Sequence, residues 1–295
     1  MSSTVGIVVT DTYRPGDGDN DTAPLIAALS ALDIAAEPVI WHAWEPRSDA
    51  GYDLLVLRSP WDYSEREAEF RAWLARAADA VPVLNPPALV EWNLDKLYLQ
   101  DLQRLGVEVV PTQWVTSPAE LAAALSSHGG DWVVLKPSVS AGALNTGLMR
   151  ANSAEAEELG RQILTLGRTV MVQPEVPELS EGLEKALYFF DGEFTHAISK
   201  GALLERGGGF RGGSYQENPQ LVTAAETERA FGAKVLDAVA RATGQPLPLY
   251  GRIDIVTSGR WGTVLLEAEL FEPALNLHRA PAAAAVLARA IARQL

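Results

Sequence analysis

The sequence predicts an α/β protein, and three observations carry that reading. Up to about residue 90, short apolar runs alternate with helical patterns, the order that builds a parallel sheet. Beyond it, strand patterns return on themselves around two helical stretches, as in antiparallel sheets. The third is residues 250–273, a β-hairpin pattern with acids where strands usually avoid them, around which the rest of the chain is organised.

In the first part, residues 5–9 read as a buried strand, followed by an acidic loop with Asp11, Asp17, Asp19 and Asp21. Thr22 opens a helix through Leu25, Ile26, Leu29 and Leu32. Strands at 36–41 and 53–57 follow, and then Arg58-Ser-Pro-Trp-Asp-Tyr63 and a helix with Phe70, Trp73, Leu74 and Ala77 inward. In open α/β sheets ligands bind beyond the carboxyl ends of strands, which makes Arg58, Asp62 and Tyr63 a predicted substrate wall. An unpaired guanidinium at the end of a buried strand is costly, so Arg58 is expected to face the cleft. Asp62 would then pair with a substrate ammonium. The alternative is an Arg58–Asp62 salt bridge pinning strand to helix.

Asn85-Pro-Pro87 and a helix over 93–105 that stops at Gly106 place a boundary near residue 90. The expected lobes are an N-terminal parallel α/β lobe (1–90), a small central α+β lobe (91–175) and a C-terminal antiparallel-sheet lobe (176–295). The central lobe holds a strand at 109–115, a helix opened by Ser117-Pro118, a strand at 132–136, a loop to Thr146, a return strand, a helix at 153–166 and a strand at 170–173. The last lobe holds strands at 185–190 and 194–200, a glycine-rich segment at 207–213, a helix at 226–243, the hairpin and a helix after Pro281.

Centring the hairpin between Arg260 and Trp261 sets Asp254 opposite Glu267 and Arg252 opposite Glu269, all on one face. Ile253, Ile255, Val264, Leu266 and Leu270 fall on the other. Like charges opposite one another destabilise a sheet, so Asp254, Glu267 and Glu269 need open water or cations. Mg²⁺ carried in with a nucleotide answers that need; a solvated outer face is the other solution.

Composition excludes several classes. A net charge of −14 argues against a sequence-independent nucleic-acid footprint or an anionic membrane partner. Without cysteine there is no thiolate nucleophile, disulfide framework or cysteine metal site, and His42, His128, His196 and His278 lack zinc-like spacing. His196 reads as a packed strand residue. The N-terminal run is too short for a signal peptide or membrane helix, so cytoplasm is the expected compartment; the pattern fixes no oligomeric state.

Lys136 ends an apolar strand and precedes a small-residue loop containing Ser140 and Gly142, whose backbone N–H groups could approach phosphates. The ending of a Walker loop is absent, and a solvated lysine is the plain alternative. Lys96 lies in a helical first turn. Gln173-Pro-Glu175-Val176 is an extended hinge able to hydrogen-bond a base edge or a ribose. Lys200 precedes the glycine-rich segment with Arg206 and Arg211, a composition suited to a mobile lid.

Taken in order, Lys96, Lys136 with its loop, the 173–176 hinge, Lys200, Arg252, Asp254, Glu267 and Glu269 resemble the ATP-grasp superfamily, in its branch with glutathione-synthetase-like nucleotide-binding domains. The resemblance spans most of residues 85–280. It implies an ATP-grasp fold of three lobes, with ATP and two Mg²⁺ as cofactors. Lys96, Lys136, Ser140, Gly142, Gln173, Glu175, Val176 and Glu184 would bind the nucleotide, and Asp254, Glu267 and Glu269 the metal. Arg252, Lys200 and Arg211 would be catalytic, Arg252 stabilising the transferring phosphoryl group. Glu269 stands where an Asn is common, which adds negative charge. Arg58-Ser-Pro-Trp-Asp-Tyr63, Phe210-Arg-Gly-Gly-Ser-Tyr215 and Glu267-Ala-Glu-Leu-Phe-Glu-Pro273 look like the cycloserine-forming cyclo-ligase branch, which implies O-ureido-D-serine as substrate.

The expected function is therefore an ATP-dependent ligase that makes an acyl phosphate on a small amino-acid-like carboxylate and passes it to a nitrogen. Phosphoryl transfer needs little covalent protein chemistry, in keeping with the missing cysteine. The rivals are an intermolecular dipeptide- or amide-forming ligase and a nucleotide-binding regulatory module without turnover. A Rossmann dehydrogenase is disfavoured, because the loop after the first strand is acidic and lacks Gly-x-Gly-x-x-Gly.

Overall fold

The computed structural model describes residues 3–13, 18–46, 51–140, 144–207 and 219–295. β1 (Thr4–Val9), β2 (Ala35–Ile40), β3 (Leu54–Ser59) and β4 (Val83–Leu84) form a parallel sheet in the order β2-β1-β3-β4, with α1 (Thr22–Ser30) and α2 (Glu67–Ala80) in the connections. α3 (Pro87–Asn93) and α4 (Tyr98–Arg104) lead to a second, antiparallel sheet of β5 (Gln113–Val115), β6 (Trp132–Pro137), β7 (Gly147–Arg150) and β8 (Val170–Pro174), ordered β5-β8-β6-β7. On it lie α5 (Pro118–Ser127) and α6 (Ala154–Thr165), whose N-termini are capped by the hydroxyls of Ser117 and Ser153.

The short α7 (Pro177–Ser180) enters the third sheet. It comprises β9 (Lys185–Phe190), β10 (Glu193–Ser199), β11 (Gln220–Val222), β12 (Tyr250–Ser258) and β13 (Gly262–Glu269), ordered β11-β10-β9-β12-β13 and antiparallel throughout. α8 (Glu226–Thr243) ends on Gly244 at φ 65°, the left-handed cap that glycine adopts without penalty. α9 (Pro281–Ala292) closes the described chain.

The parallel sheet is covered on both faces, as its continuous apolar strands require. Phe70, Trp73, Leu74 and Ala77 of α2 pack with Trp41, Tyr63 and Phe271 on one side. On the other, Leu25 and Leu29 of α1 share a core with Leu287 and Ile291 of α9 and with Tyr188 and Phe190 of the third sheet. The first and third sheets are thus joined through common apolar contacts.

Two expectations change. The helix over 93–105 shortens to α4, with Asn93 ending α3, because Lys96 N–H donates to the Ser138 carbonyl at 2.8 Å and the Asp95 carboxylate accepts from Leu97 N–H at 3.0 Å. The strand over 109–115 shortens to β5, since Pro111 has no N–H for a ladder; Val109 makes a single bridge, to Leu265. Residues of α3 and α4 pack in the core of the third sheet, with Leu89, Leu99 and Leu102 against Leu187, Leu236 and Ile253, and Met171 of the central sheet shares that core.

That last arrangement fixes the hairpin. Asn93 donates to the Ala268 carbonyl at 2.8 Å and accepts from Leu270 N–H at 2.9 Å, while Tyr98 OH accepts from Ala268 N–H at 2.8 Å. Asn85 likewise donates to the carbonyls of Tyr250 and Leu270 and accepts from Leu249 N–H. Asn93 and Tyr98 satisfy backbone groups at the outer edge of β13, which among the described residues has no further strand beside it. Asn93→Ala should leave buried backbone groups unpaired and lower stability by about 2–4 kcal/mol. Denaturant titration checks this, and an unchanged midpoint would show that the edge is held by other contacts.

Candidate active site in the cleft between the sheets

A cleft of about 880 Å³ opens between the three sheets. It brings together Lys96, Lys136, the 173–176 hinge, Glu184, Lys200 and the polar face of the β12–β13 hairpin. The predicted pairing is present: Asp254 faces Glu267 and Arg252 faces Glu269. A β-bulge follows Asp254, so that Ile255 pairs with Leu265. Leu265 therefore occupies the apolar core and Leu266, expected there, lines the cleft instead.

The charged face is not solvated. Arg252 holds Asp254 through Nε at 2.9 Å and Nη2 at 2.8 Å, and its Nη2 also donates to Glu269. Lys200 donates to Asp254 at 2.8 Å and to Glu184 at 3.0 Å. Lys96 Nζ lies 2.9 Å from Glu267 and donates to the Ser140 carbonyl at 3.0 Å, so Ser140 enters the site through its backbone. Burial pushes the Asp254 and Glu267 carboxyls up, but Arg252 and Lys200 for the first and Lys96 and Lys136 for the second outweigh it and hold both below their usual range. Glu269 differs: burial, reinforced by Glu272 and Glu267 against the pull of Arg252, drives its carboxyl well upward.

The three acids expected to bind metal are each engaged by a cation. Among the described residues no three acids converge into a cage, because each of Asp254, Glu267 and Glu269 is turned to a side-chain cation. The donor chemistry still suits Mg²⁺, which asks for hard oxygens and commonly takes one or two carboxylates with phosphate oxygens completing its shell.

Lys136 has no acid in contact among the described residues. Burial lowers its ammonium below the usual 10.5, and Lys96 and Lys200 add to the effect against Glu267 and Glu184. A half-buried ammonium so placed favours an incoming polyanion. Beside it, Gln173 binds the Thr112 hydroxyl at 2.8 Å, Glu175 takes both Nε and Nη2 of Arg206, and Val176 is buried with Val110, Val256 and Val264. The hinge is thus held by its side chains. Gly142, Arg211 and all of the glycine-rich segment after Gly207 lie outside the described residues.

The substrate wall is rearranged. Arg58 is 1% exposed and does not line the cleft; its Nη2 donates to the Pro273 carbonyl, 3.8 Å from Asp21 Oδ2. The alternative pair with Asp62 is not made either. Asp62 accepts from Trp41 Nε1 at 2.7 Å and Arg66 Nη1 at 3.1 Å. Tyr63 is buried and donates to Glu272 at 3.0 Å. His196 is a packed residue, stacked 4.2 Å from Tyr188 and hydrogen-bonded to the Leu275 carbonyl.

Sequence reasoning missed Glu272, Tyr13, Trp61 and Arg279, all of which line the cleft. Glu272 is within the quoted 267–273 motif, and its spacing beyond the strand was the available signal. Trp61 likewise lies within the quoted 58–63 motif, whereas Tyr13 and Arg279 come from loops with no periodicity to place them.

The architecture and the cleft define an ATP-grasp ligase. A RimK domain ATP-grasp protein from Sphaerobacter thermophilus superposes with a TM-score of 0.67 at 19% identity, over 98% of this chain and 99% of that one. The chain belongs, within that class, to the DcsG family. The cycloserine biosynthesis protein DcsG of Streptomyces lavendulae is 34% identical over 292 residues, 94% of each chain. Residues 5–85 match the N-terminal domain model of D-cycloserine synthetase DcsG. The crystal structure of D-cycloserine synthetase DcsG superposes with a TM-score of 0.91 at 32% identity, over 99% of both chains. Ligases of this fold use ATP and Mg²⁺. Among the described residues no helix is long and apolar enough to cross a membrane.

Since Lys136 loses its proton at a lower pH than a solvated lysine and only the charged form attracts phosphate, ATP affinity should decline on the alkaline side before pH 10.5 is reached. Lys136→Arg, which stays charged, should keep its affinity across that range, and Lys136→Ala should weaken binding at every pH. Calorimetric titration from about pH 7 to about pH 10 reads all three.

Proposed function

We propose that the protein is a ring-closing ATP-dependent ligase that converts O-ureido-D-serine to D-cycloserine. One observation carries the reading. One cleft sets Lys136, which has no acid in contact among the described residues, beside the acid-bearing hairpin, in a chain alignable over 94% of its length with a cycloserine biosynthesis protein.

The chain's residues act by placement and charge. Lys136 and Lys200 take the phosphates, the 173–176 hinge and Glu184 take the base and ribose, and Leu266 supplies an apolar wall. Asp254, Glu267 and Glu269 would hold Mg²⁺, two ions in the expected set, and the metal would neutralise charge on the phosphates. Arg252, fixed by Asp254 and Glu269, steadies the phosphoryl group as the substrate carboxylate displaces ADP from it. The acyl phosphate so formed is attacked by the substrate's own hydroxylamine-type N–H; phosphate leaves and the nitrogen gives up its proton. Hydrolytic loss of the carbamoyl group from that nitrogen then completes cycloserine. The cytoplasm, the expected compartment, is where such an ATP-dependent ligase would work.

The test is ADP release from O-ureido-D-serine with ¹⁸O in its carboxylate. Transfer of label to phosphate with no added amine supports ring closure. A requirement for an added amine would replace it with an intermolecular ligase, and nucleotide binding without any ADP release would make the protein a regulatory module. Glu267→Gln should keep its fold and lose turnover by about 10²–10³-fold, as removal of one electrostatic stabiliser does. Ordinary turnover at ordinary Mg²⁺ would remove Glu267 from the metal site.

A further inference from the structure

Among the described residues, the parallel sheet and its loops bring no lysine or arginine to the cleft; they bring Tyr13, Trp61, Asp62 and Glu65. An acidic and aromatic wall of this kind suits a small organic cation. Its acids are not equivalent. Both oxygens of Asp62 are engaged, by Trp41 and Arg66, and Glu267 and Glu269 are in contact with Lys96 and Arg252.

Glu272 is held differently. Its Oε1 accepts from Tyr63 OH at 3.0 Å, its main-chain carbonyl accepts from Trp61 Nε1 at 2.7 Å, and Arg58 donates to the next carbonyl, that of Pro273. Its second oxygen has no partner among the described residues. The 58–63 motif thus grips one short segment at three points and presents a carboxylate with a free oxygen to the cleft. A cation donating to that oxygen would meet a preorganised acceptor.

We propose that Glu272 recognises the α-ammonium of the amino-acid substrate, and that Arg58, Trp61 and Tyr63 are its positioning residues. This rests on the ring-closing reading, which supplies an amino acid whose ammonium is untouched by the reaction. Glu272 takes the place expected for Asp62, and Arg58 acts through Glu272 rather than on the substrate.

The experiment compares O-ureido-D-serine with 3-(ureidooxy)propanoate, the same acid without its ammonium, in the wild type and in Glu272→Gln, Glu272→Asp and Tyr63→Phe. The wild type should favour the amino acid by about 100-fold in kcat/KM. Glu272→Gln should lose most of that preference through a KM raised about 10- to 100-fold, the size of a charge-assisted hydrogen bond, while the des-amino acid reacts as before. Glu272→Asp keeps the charge and should retain part of the preference, and Tyr63→Phe should lose a smaller part. KM for ATP and the Mg²⁺ requirement should not move, which also shows that the variants are folded. Equal loss on both acids, or equal behaviour of the Asp and Gln variants, overturns the proposal. A raised Mg²⁺ requirement does so too and makes Glu272 a metal-side acid. A wild type that turns over neither compound defeats the ring-closing reading itself, and this inference with it.

Discussion

The structure depends on how one face of a hairpin tolerates acids. Asp254 is 1% exposed, and a carboxylate there survives because Arg252 and Lys200 both donate to it. Neutralising one acid with two cations leaves a local excess that Glu184 and Glu269 absorb, and the same logic carries on through Glu267 to Lys96. Buried ion pairs contribute little net stability, since desolvation offsets their attraction. Their value here is geometric: each of these charged groups has a fixed neighbour, so the face is arranged in advance of any ligand.

Apolar packing alone would not hold that face in place. Backbone groups of the hairpin and of the segment after it are gripped by polar side chains distant in sequence. Asn93 and Tyr98 bind β13, Asn85 binds the chain at Leu249, Tyr250 and Leu270, and Asp21 accepts from the N–H groups of Leu275 and Leu277 at 2.6 and 2.7 Å. Trp61 and Arg58 add Glu272 and Pro273 to the set. Side chains from the parallel sheet and from the helices after it thus converge on residues 249–277, which makes the β12–β13 hairpin a shared element rather than a lobe's private one. Arg168 bridging to Glu67 at 2.6 Å ties the central sheet to α2 as well.

Much of this was legible in the chain. The alternation of apolar runs and helical stripes fixed the strands at 185–190 and the helix at 226–243, because periods of 2 and 3.6 are local properties. The opposition of Asp254 to Glu267 followed from counting out from the turn. The order of lysines, hinge and acids was enough to place the chain in a superfamily, since that order survives when spacing drifts.

What the sequence alone could not decide is partner choice. Arg58, Asp62 and Glu272 are all charged residues near a strand end, and nothing local tells which one turns inward. Tertiary contact settled it: Arg58 found the Pro273 carbonyl, Asp62 found Trp41 and Arg66, and Glu272 kept an oxygen for the cleft. The bulge after Asp254 is of the same kind, exchanging Leu265 and Leu266 between core and cleft by a one-residue shift that an alternating pattern does not encode. Secondary structure is set by near neighbours in the chain and so could be read from it; the direction of each polar side chain is set by partners up to 256 residues away, as with Asp21 and Leu277, and only the folded chain brings them within reach.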